Sequence, residues 1–211
     1  MNTQEIINAN KVIAIARGVE PVKIADMAQA LYNGGIKLVE VTFNQSSPTC
    51  NKDTAGSIKA IYDAMGDKMC VGAGTVMTVE QVRAAVDAGA KYIISPNTDR
   101  EVIEETKKRG AISMPGAFTP SETVSAYKMG ADYVKLFPAG LLGIAYIKAL
   151  KAPISHIPLM AVGGIDADNL HDFLATGING VGVGSSLVNQ KLIKEEKWDE
   201  LAGIAKKFAI V

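Results

Sequence analysis

The strongest constraint on this chain is a repeat. Eight short apolar runs recur along it: Val12–Ala16, Leu38–Phe43, Cys70–Gly74, Tyr92–Ser95, Ala111–Met114, Tyr133–Phe137, Leu159–Val162 and Gly180–Val183. They lack the strict polar alternation of a half-solvated strand, and strands covered on both faces read as nearly continuous apolar stretches. Between them lie segments with helical spacing, such as Val79, Val82, Ala85 and Val86. Gly34, Gly66, Gly89, Gly110, Gly130 and Gly177 fall where those helices should end, in the left-handed position that glycine fills best. The junctions Asp87-Ala88-Gly89-Ala90, Lys108-Arg109-Gly110-Ala111 and Lys128-Met129-Gly130-Ala131 resemble one another, as copies of one strand-helix unit should. Eight such units without a linker predict a single (β/α)8-barrel domain over residues 1–211. A doubly wound open sheet is the alternative, but it usually has fewer strands. An extra N-terminal helix over Thr3–Asn10 is expected to close the bottom of the barrel. Glu195–Ile210 should form the last helix, burying Trp198, Leu201, Ile204 and Phe208.

Charge narrows the partners. Lys+Arg and Asp+Glu number 22 each, so no excess points to nucleic acid or a membrane surface. No stretch has the length and apolarity of a membrane span. Cys50 and Cys70 lack metal or redox spacing, and no signal-peptide pattern opens the sequence, so a cytoplasmic setting is expected. With only His156 and His171, a histidine-rich metal site is not expected.

Barrel enzymes place their chemistry at the carboxyl ends of the strands. The polar residues there are Arg17, Glu40, Thr42, Asn44, Thr75, Pro96-Asn97, Lys135, Gly163-Gly164 and Gly184-Ser185-Ser186. Lys135 interrupts the apolar run Tyr133–Phe137. Desolvation disfavours its ammonium form and leaves an amine able to attack a carbonyl, unless the side chain reaches out to water. Glu40, within Leu38-Val39-Glu40-Val41-Thr42-Phe43, is the other charge inside a strand. It reads either as a buried ion-pair partner of Lys135 or as a general acid/base raised in pKa by burial. Glycine-rich segments end the last two strands, Ala161-Val162-Gly163-Gly164-Ile165 and Gly180-Val181-Gly182-Val183-Gly184-Ser185-Ser186; with a helix expected to start near Ser185 they read as a phosphate site, or else only as tight strand-to-helix turns. Val71-Gly72-Ala73-Gly74-Thr75-Val76 lacks the third glycine of a dinucleotide fingerprint, so Thr75 is read instead as a hydroxyl donor to a carboxylate. Arg17 is a candidate anion clamp or a surface ion-pair partner. Arg83, Arg100 and Arg109 fall on helical faces and are expected to be solvated.

Taken together these residues resemble the 2-keto-3-deoxy-6-phosphogluconate (KDPG) and 4-hydroxy-2-oxoglutarate (KHG) aldolase family. The resemblance rests on Ile15-Ala16-Arg17-Gly18, Glu40-Val41-Thr42, Gly72-Ala73-Gly74-Thr75-Val76, Ser95-Pro96, Met114-Pro115-Gly116, Lys135-Leu136-Phe137-Pro138, Gly163-Gly164 and Gly182-Val183-Gly184-Ser185. These follow one another in family order over nearly the whole chain. The resemblance implies a class I pyruvate aldolase in which Lys135 forms a Schiff base and Glu40 is the acid/base. It implies that Thr75 helps hold the pyruvyl carboxylate, that Pro96 and Phe137 shape the pyruvyl pocket, and that Gly163, Gly164, Gly184 and Ser185 hold a distal phosphate. It further implies no metal or other cofactor, and a homotrimer. Asn44 stands where some KDPG aldolases carry an arginine. Together with Ser95-Pro96-Asn97 and Ala161-Val162-Gly163-Gly164, it resembles the phosphogalactonate (KDPGal) branch in part.

The expectation is therefore cleavage of a phosphorylated keto-deoxy sugar acid to pyruvate and glyceraldehyde 3-phosphate. The gluconate-type substrate comes first and the galactonate type is the alternative. Cleavage of unphosphorylated 4-hydroxy-2-oxoglutarate, a sugar-phosphate isomerase or epimerase, and a non-catalytic barrel are the rivals.

Overall fold

The computed structural model describes residues 1–210. The elements run α1 (Thr3–Asn10), β1 (Val12–Ala16), α2 (Ile24–Asn33), β2 (Leu38–Thr42), α3 (Cys50–Met65), β3 (Cys70–Gly74), α4 (Val79–Asp87), β4 (Tyr92–Ile94), α5 (Arg100–Lys108), β5 (Ile112–Met114) and β6 (Gly116–Ala117). They continue with α6 (Pro120–Lys128), β7 (Val134–Leu136), α7 (Ala139–Lys151), β8 (Leu159–Val162), α8 (Leu170–Ala175), β9 (Gly180–Val183), α9 (Gln190–Lys194) and α10 (Trp198–Lys206). Every strand pairs in parallel, in the order β5-β4-β3-β2-β1-β9-β8-β7-β6.

The two ends of that order, β5 and β6, are successive pieces of one chain segment, so the sheet is an α/β barrel. The expected fifth strand, Ala111–Met114, is seen as Ile112–Met114, and a second short piece that the sequence did not suggest follows Pro115 at Gly116–Ala117. Proline has no N–H for a ladder. Its carbonyl still accepts from the Lys135 N–H at 2.9 Å. The first piece pairs with β4 and the second with β7, which brings Gly116 into register with Lys135.

Alternation along the strands divides the side chains between two cores. Val39, Val41, Val71, Ala73, Val134, Leu136, Leu159, Val181 and Val183 pack outward among the helices. Ile13, Leu38, Cys70, Tyr92, Ile94, Met114, Tyr133 and Met160 fill the lower interior, and Ile7 of α1 joins them. The Tyr133 hydroxyl donates to Asn8 Oδ1 at 2.8 Å, fastening α1 across the barrel bottom as expected.

Three expectations change in detail. The last helix is shorter than Glu195–Ile210: the chain turns at Glu196 (φ +56°) and α10 starts at Trp198. Leu201 and Phe208 are buried, but Trp198 and Ile204 only half-buried. Gly89, Gly110, Gly130 and Gly177 take the left-handed cap, whereas Gly34 and Gly66 have negative φ and Gly35 takes that role after α2. Of the helical arginines, Arg83 and Arg100 are exposed as expected, whereas Arg109 is half-buried. Arg83 and Arg109 converge on Glu105 at 2.8 and 3.0 Å, and Arg109 also meets Asp87 at 2.7 Å, so α4 and α5 are tied together. Arg100 pairs with Glu104 at 3.4 Å.

Candidate active site

Glycines on two strands make room for the side chains and backbone packed against them. β3 places Gly72 and Gly74, and β9 places Gly180 and Gly182, at positions where a methyl group would overlap neighbouring atoms. At Gly72 the obstacle is the Tyr92 ring, and at Gly74 it is the Glu40 carboxylate. Glu40 therefore occupies space that only a missing side chain provides.

A cavity of about 780 Å³ lies at the carboxyl ends of the strands. The residues given a role from the sequence line it, Arg17, Glu40, Thr75, Pro96, Lys135, Phe137, Gly163, Gly164, Gly184 and Ser185, and so does Ser186. Asn44 lies elsewhere, in a smaller hollow of about 240 Å³ shared with Thr42. Asn97 is engaged through its carbonyl, which accepts from Gly116 N–H at 3.1 Å.

Lys135 and Glu40 are 6% and 3% exposed, the deepest ionisable groups of the cavity. Burial lowers the Lys135 pKa, only partly offset by the attraction of Glu40, while the Arg17 charge lowers it further. Burial raises Glu40 to about 7, against the pull of Lys135 and Arg17. Among the described residues no ion pair within 4.0 Å joins the two, so the salt-bridge reading of Glu40 is not the arrangement seen. The site thus shifts the amine towards its uncharged form, beside an acid that exchanges its proton near neutrality. The Phe137 ring lies 4.8 Å from Lys135 Nζ, an aromatic face suited to a cationic nitrogen.

The other end of the cavity is built of backbone. Gly163 and Gly164 have φ of +90° and +74°, and Gly140 N–H donates to Gly163 C=O at 2.8 Å. A turn, not the expected helix, follows Gly184: Leu187 and Val188 N–H both return to Gly184 C=O, and α9 begins only at Gln190. Any anion here would meet loop amides rather than a helix end. Among the described residues, the backbone N–H groups of Gly164, Ser185 and Ser186 have no protein acceptor. The Ser186 hydroxyl donates to Ile165 C=O, leaving the Ser185 hydroxyl as the one available beside these amides. Asp166 also lines the mouth, but its carboxylate accepts from Asp168 and Asn169 N–H at 3.0 Å each and so builds the turn.

Sequence reasoning missed Gln190, whose amide donates to Arg17 C=O at 2.7 Å, and two residues behind Thr75, Gln45 and Gln81. Their spacing carries no local signature. Only the fold brings residues 173 and 36 positions apart together.

Known proteins share this architecture. Residues 3–204 match the family model described as KDPG and KHG aldolase. The 2-dehydro-3-deoxy-6-phosphogalactonate aldolase of Escherichia coli K12 is 38% identical, over 93% of each chain. The 2-dehydro-3-deoxy-phosphogluconate aldolase of Haemophilus influenzae is 30% identical, over 87% of this chain and 84% of that one. The KDPG aldolase of Legionella pneumophila, solved with pyruvate captured as a covalent carbinolamine, superposes with a TM-score of 0.88 at 28% identity, covering 100% of this chain and 99% of that chain. The sequence match and the shared barrel agree: this chain belongs to the KDPG and KHG aldolase family, the class I pyruvate aldolases among the carbon–carbon lyases.

Proposed function

We propose that this protein cleaves 2-keto-3-deoxy-6-phosphogalactonate to pyruvate and glyceraldehyde 3-phosphate. The observation that carries the chemistry is the placing of Lys135 and Glu40 in one cavity with pKa values displaced in opposite directions. The galactonate type is preferred over the gluconate type expected first from the sequence. The support is that two phosphogalactonate aldolases match at 38% and 37% identity over 93% and 83% of this chain, whereas phosphogluconate aldolases match at 30% over 87% or at 37% over only 71%.

In this reading the neutral Lys135 amine attacks the C2 ketone. The carbinolamine loses water, with Glu40 delivering the proton, to give an iminium. The Glu40 carboxylate then takes the proton of the C4 hydroxyl. The C3–C4 bond breaks, its electron pair moves into the iminium to form an enamine, and C4 leaves as the aldehyde of glyceraldehyde 3-phosphate. A proton returned to C3 and hydrolysis of the imine release pyruvate and restore Lys135. Glu40 serves in both directions because a group with pKa near the working pH is both an adequate acid and an adequate base.

Thr75 holds the pyruvyl carboxylate, with Arg17 as a second candidate for an anionic group. Pro96 and Phe137 enclose the three-carbon unit. Gly163, Gly164, Gly184 and Ser185 take the distal phosphate. The mechanism uses no metal or other cofactor, and a cytoplasmic homotrimer is part of the same reading.

The two sugar acids differ in configuration at C4 and yield identical products. The test is therefore kcat/KM for each, measured by pyruvate release. A clear preference for the galactonate acid is expected. An equal or higher value for the gluconate acid overturns the substrate assignment and leaves the lyase chemistry standing.

A further inference from the structure

We propose that Gln45, locked by Gln81, is a positioning residue that holds Thr75 in its working conformation. Thr75 follows β3, lines the cavity and has φ of +56°. A β-branched residue occupies the left-handed region only when its surroundings impose it. Four backbone groups in succession are tied down here. Two bonds come from neighbouring strands: Phe43 N–H donates to Gly74 C=O at 2.9 Å, and Val76 N–H donates to Ile94 C=O at 3.1 Å. The other two come from side chains. Gln45 Nε2 donates to Thr75 C=O at 2.7 Å, and Met77 N–H donates to Gln81 Oε1 at 2.8 Å.

The two amides also bond each other, Gln81 Nε2 donating to Gln45 Oε1 at 2.9 Å. Gln81 is 3% exposed and packed within α4, whereas Gln45 sits on the loop after β2. The buried amide therefore fixes which way the exposed one points. With its oxygen occupied by Gln81, Gln45 can present only its N–H donors to Thr75. A glutamate there would set a carboxylate oxygen against the carbonyl.

Gln45 is not among the residues lining the large cavity, so any effect on catalysis passes through Thr75. This rests on the reading of Thr75 as the holder of the pyruvyl carboxylate. It gives the polar loop after β2 a role: setting the Thr75 backbone, and with it the affinity for the three-carbon unit.

The experiment is exchange of the pyruvate methyl protons in D2O, followed by NMR as a function of pyruvate concentration, which needs no aldehyde partner. Gln45→Ala and Gln45→Glu should raise the half-saturating pyruvate concentration about three- to tenfold, the equivalent of one lost hydrogen bond. The limiting exchange rate should change less than about twofold, and Tm should hold. In a Thr75→Gly background, where the backbone adopts positive φ freely, Gln45→Ala should add nothing further. Unchanged half-saturation in the Gln45 variants overturns the inference. So does a loss confined to Tm, or an effect that persists in the Thr75→Gly background. Thr75→Val separates the two levels. If it shifts half-saturation and Gln45→Ala does not, only the positioning role fails. If it shifts nothing, the carboxylate assignment itself fails and the inference falls with it.

Discussion

Glu40→Gln should trade activity for stability in a pH-dependent way. Burial raises the folded-state pKa of Glu40 from 4.5 to about 7. The folded protein then binds more protons than the unfolded chain wherever Glu40 is still protonated in one and ionised in the other. The stability associated with the protonated acid is fully present below pH 4.5 and is lost as pH rises through about 7. The displacement corresponds to about 3 kcal/mol in full, and about 2–3 kcal/mol of it falls between pH 5 and pH 8. Glutamine keeps the shape and cannot ionise, so the variant should gain that amount relative to the parent over the interval. Removing the carboxylate also lets the Lys135 pKa fall further, because Glu40 is what raises it. That relieves the buried ammonium at lower pH and acts in the same direction. Urea unfolding of both proteins at pH 5 and pH 8 measures the difference. Turnover of the variant should fall about 10²–10⁴-fold, the loss typical of a positioned acid/base group. A variant-minus-parent stability difference that is the same at both pH values would refute the claim that Glu40 is a desolvated acid.

Other substitutions probe the surroundings of the pair. Gly74→Ala puts a methyl group into the Glu40 carboxylate and should reduce turnover about 10²-fold while the protein still folds, checked by kinetics and circular dichroism. Tyr92→Phe removes a fully buried hydroxyl that has no hydrogen-bond partner, and should be neutral or stabilising by about 1 kcal/mol in urea unfolding. Ser185→Ala should raise KM for the phosphorylated sugar acid several-fold and leave half-saturation by pyruvate unchanged; the reverse pattern would move the phosphate site elsewhere. The acid limb of the pH–rate profile should have an apparent pKa near 7 and disappear in Glu40→Gln.

The barrel was legible because a parallel strand covered on both faces leaves an unbroken apolar run, and because a charge inside such a run stands out. Lys135 and Glu40 were found that way. The second piece of the fifth strand, Gly116–Ala117, was missed because the run was read as ending at Met114, and two small residues after a proline without an N–H carry no strand signal of their own. A helix was expected to start near Ser185, where the strand-helix repeat calls for one, yet Leu187 and Val188 bond back to Gly184 and α9 begins only at Gln190. Gln45 and Gln81 could not be recognised, since a polar loop residue and a helical glutamine look solvated until the fold brings them 2.9 Å apart. The glycines of β3 and β9 were read as anion-binding or family features. Their further role, leaving room for Tyr92 at Gly72 and for Glu40 at Gly74, depends on what packs opposite them.

The central claim is that the buried Lys135 amine forms a covalent imine with pyruvate. Incubating the protein with pyruvate and borohydride, then measuring intact and peptide masses, tests it directly. The account predicts one reduced pyruvyl group on the peptide containing Lys135, absent in Lys135→Ala. Folded protein that gains no adduct, or carries it on another lysine, would contradict it.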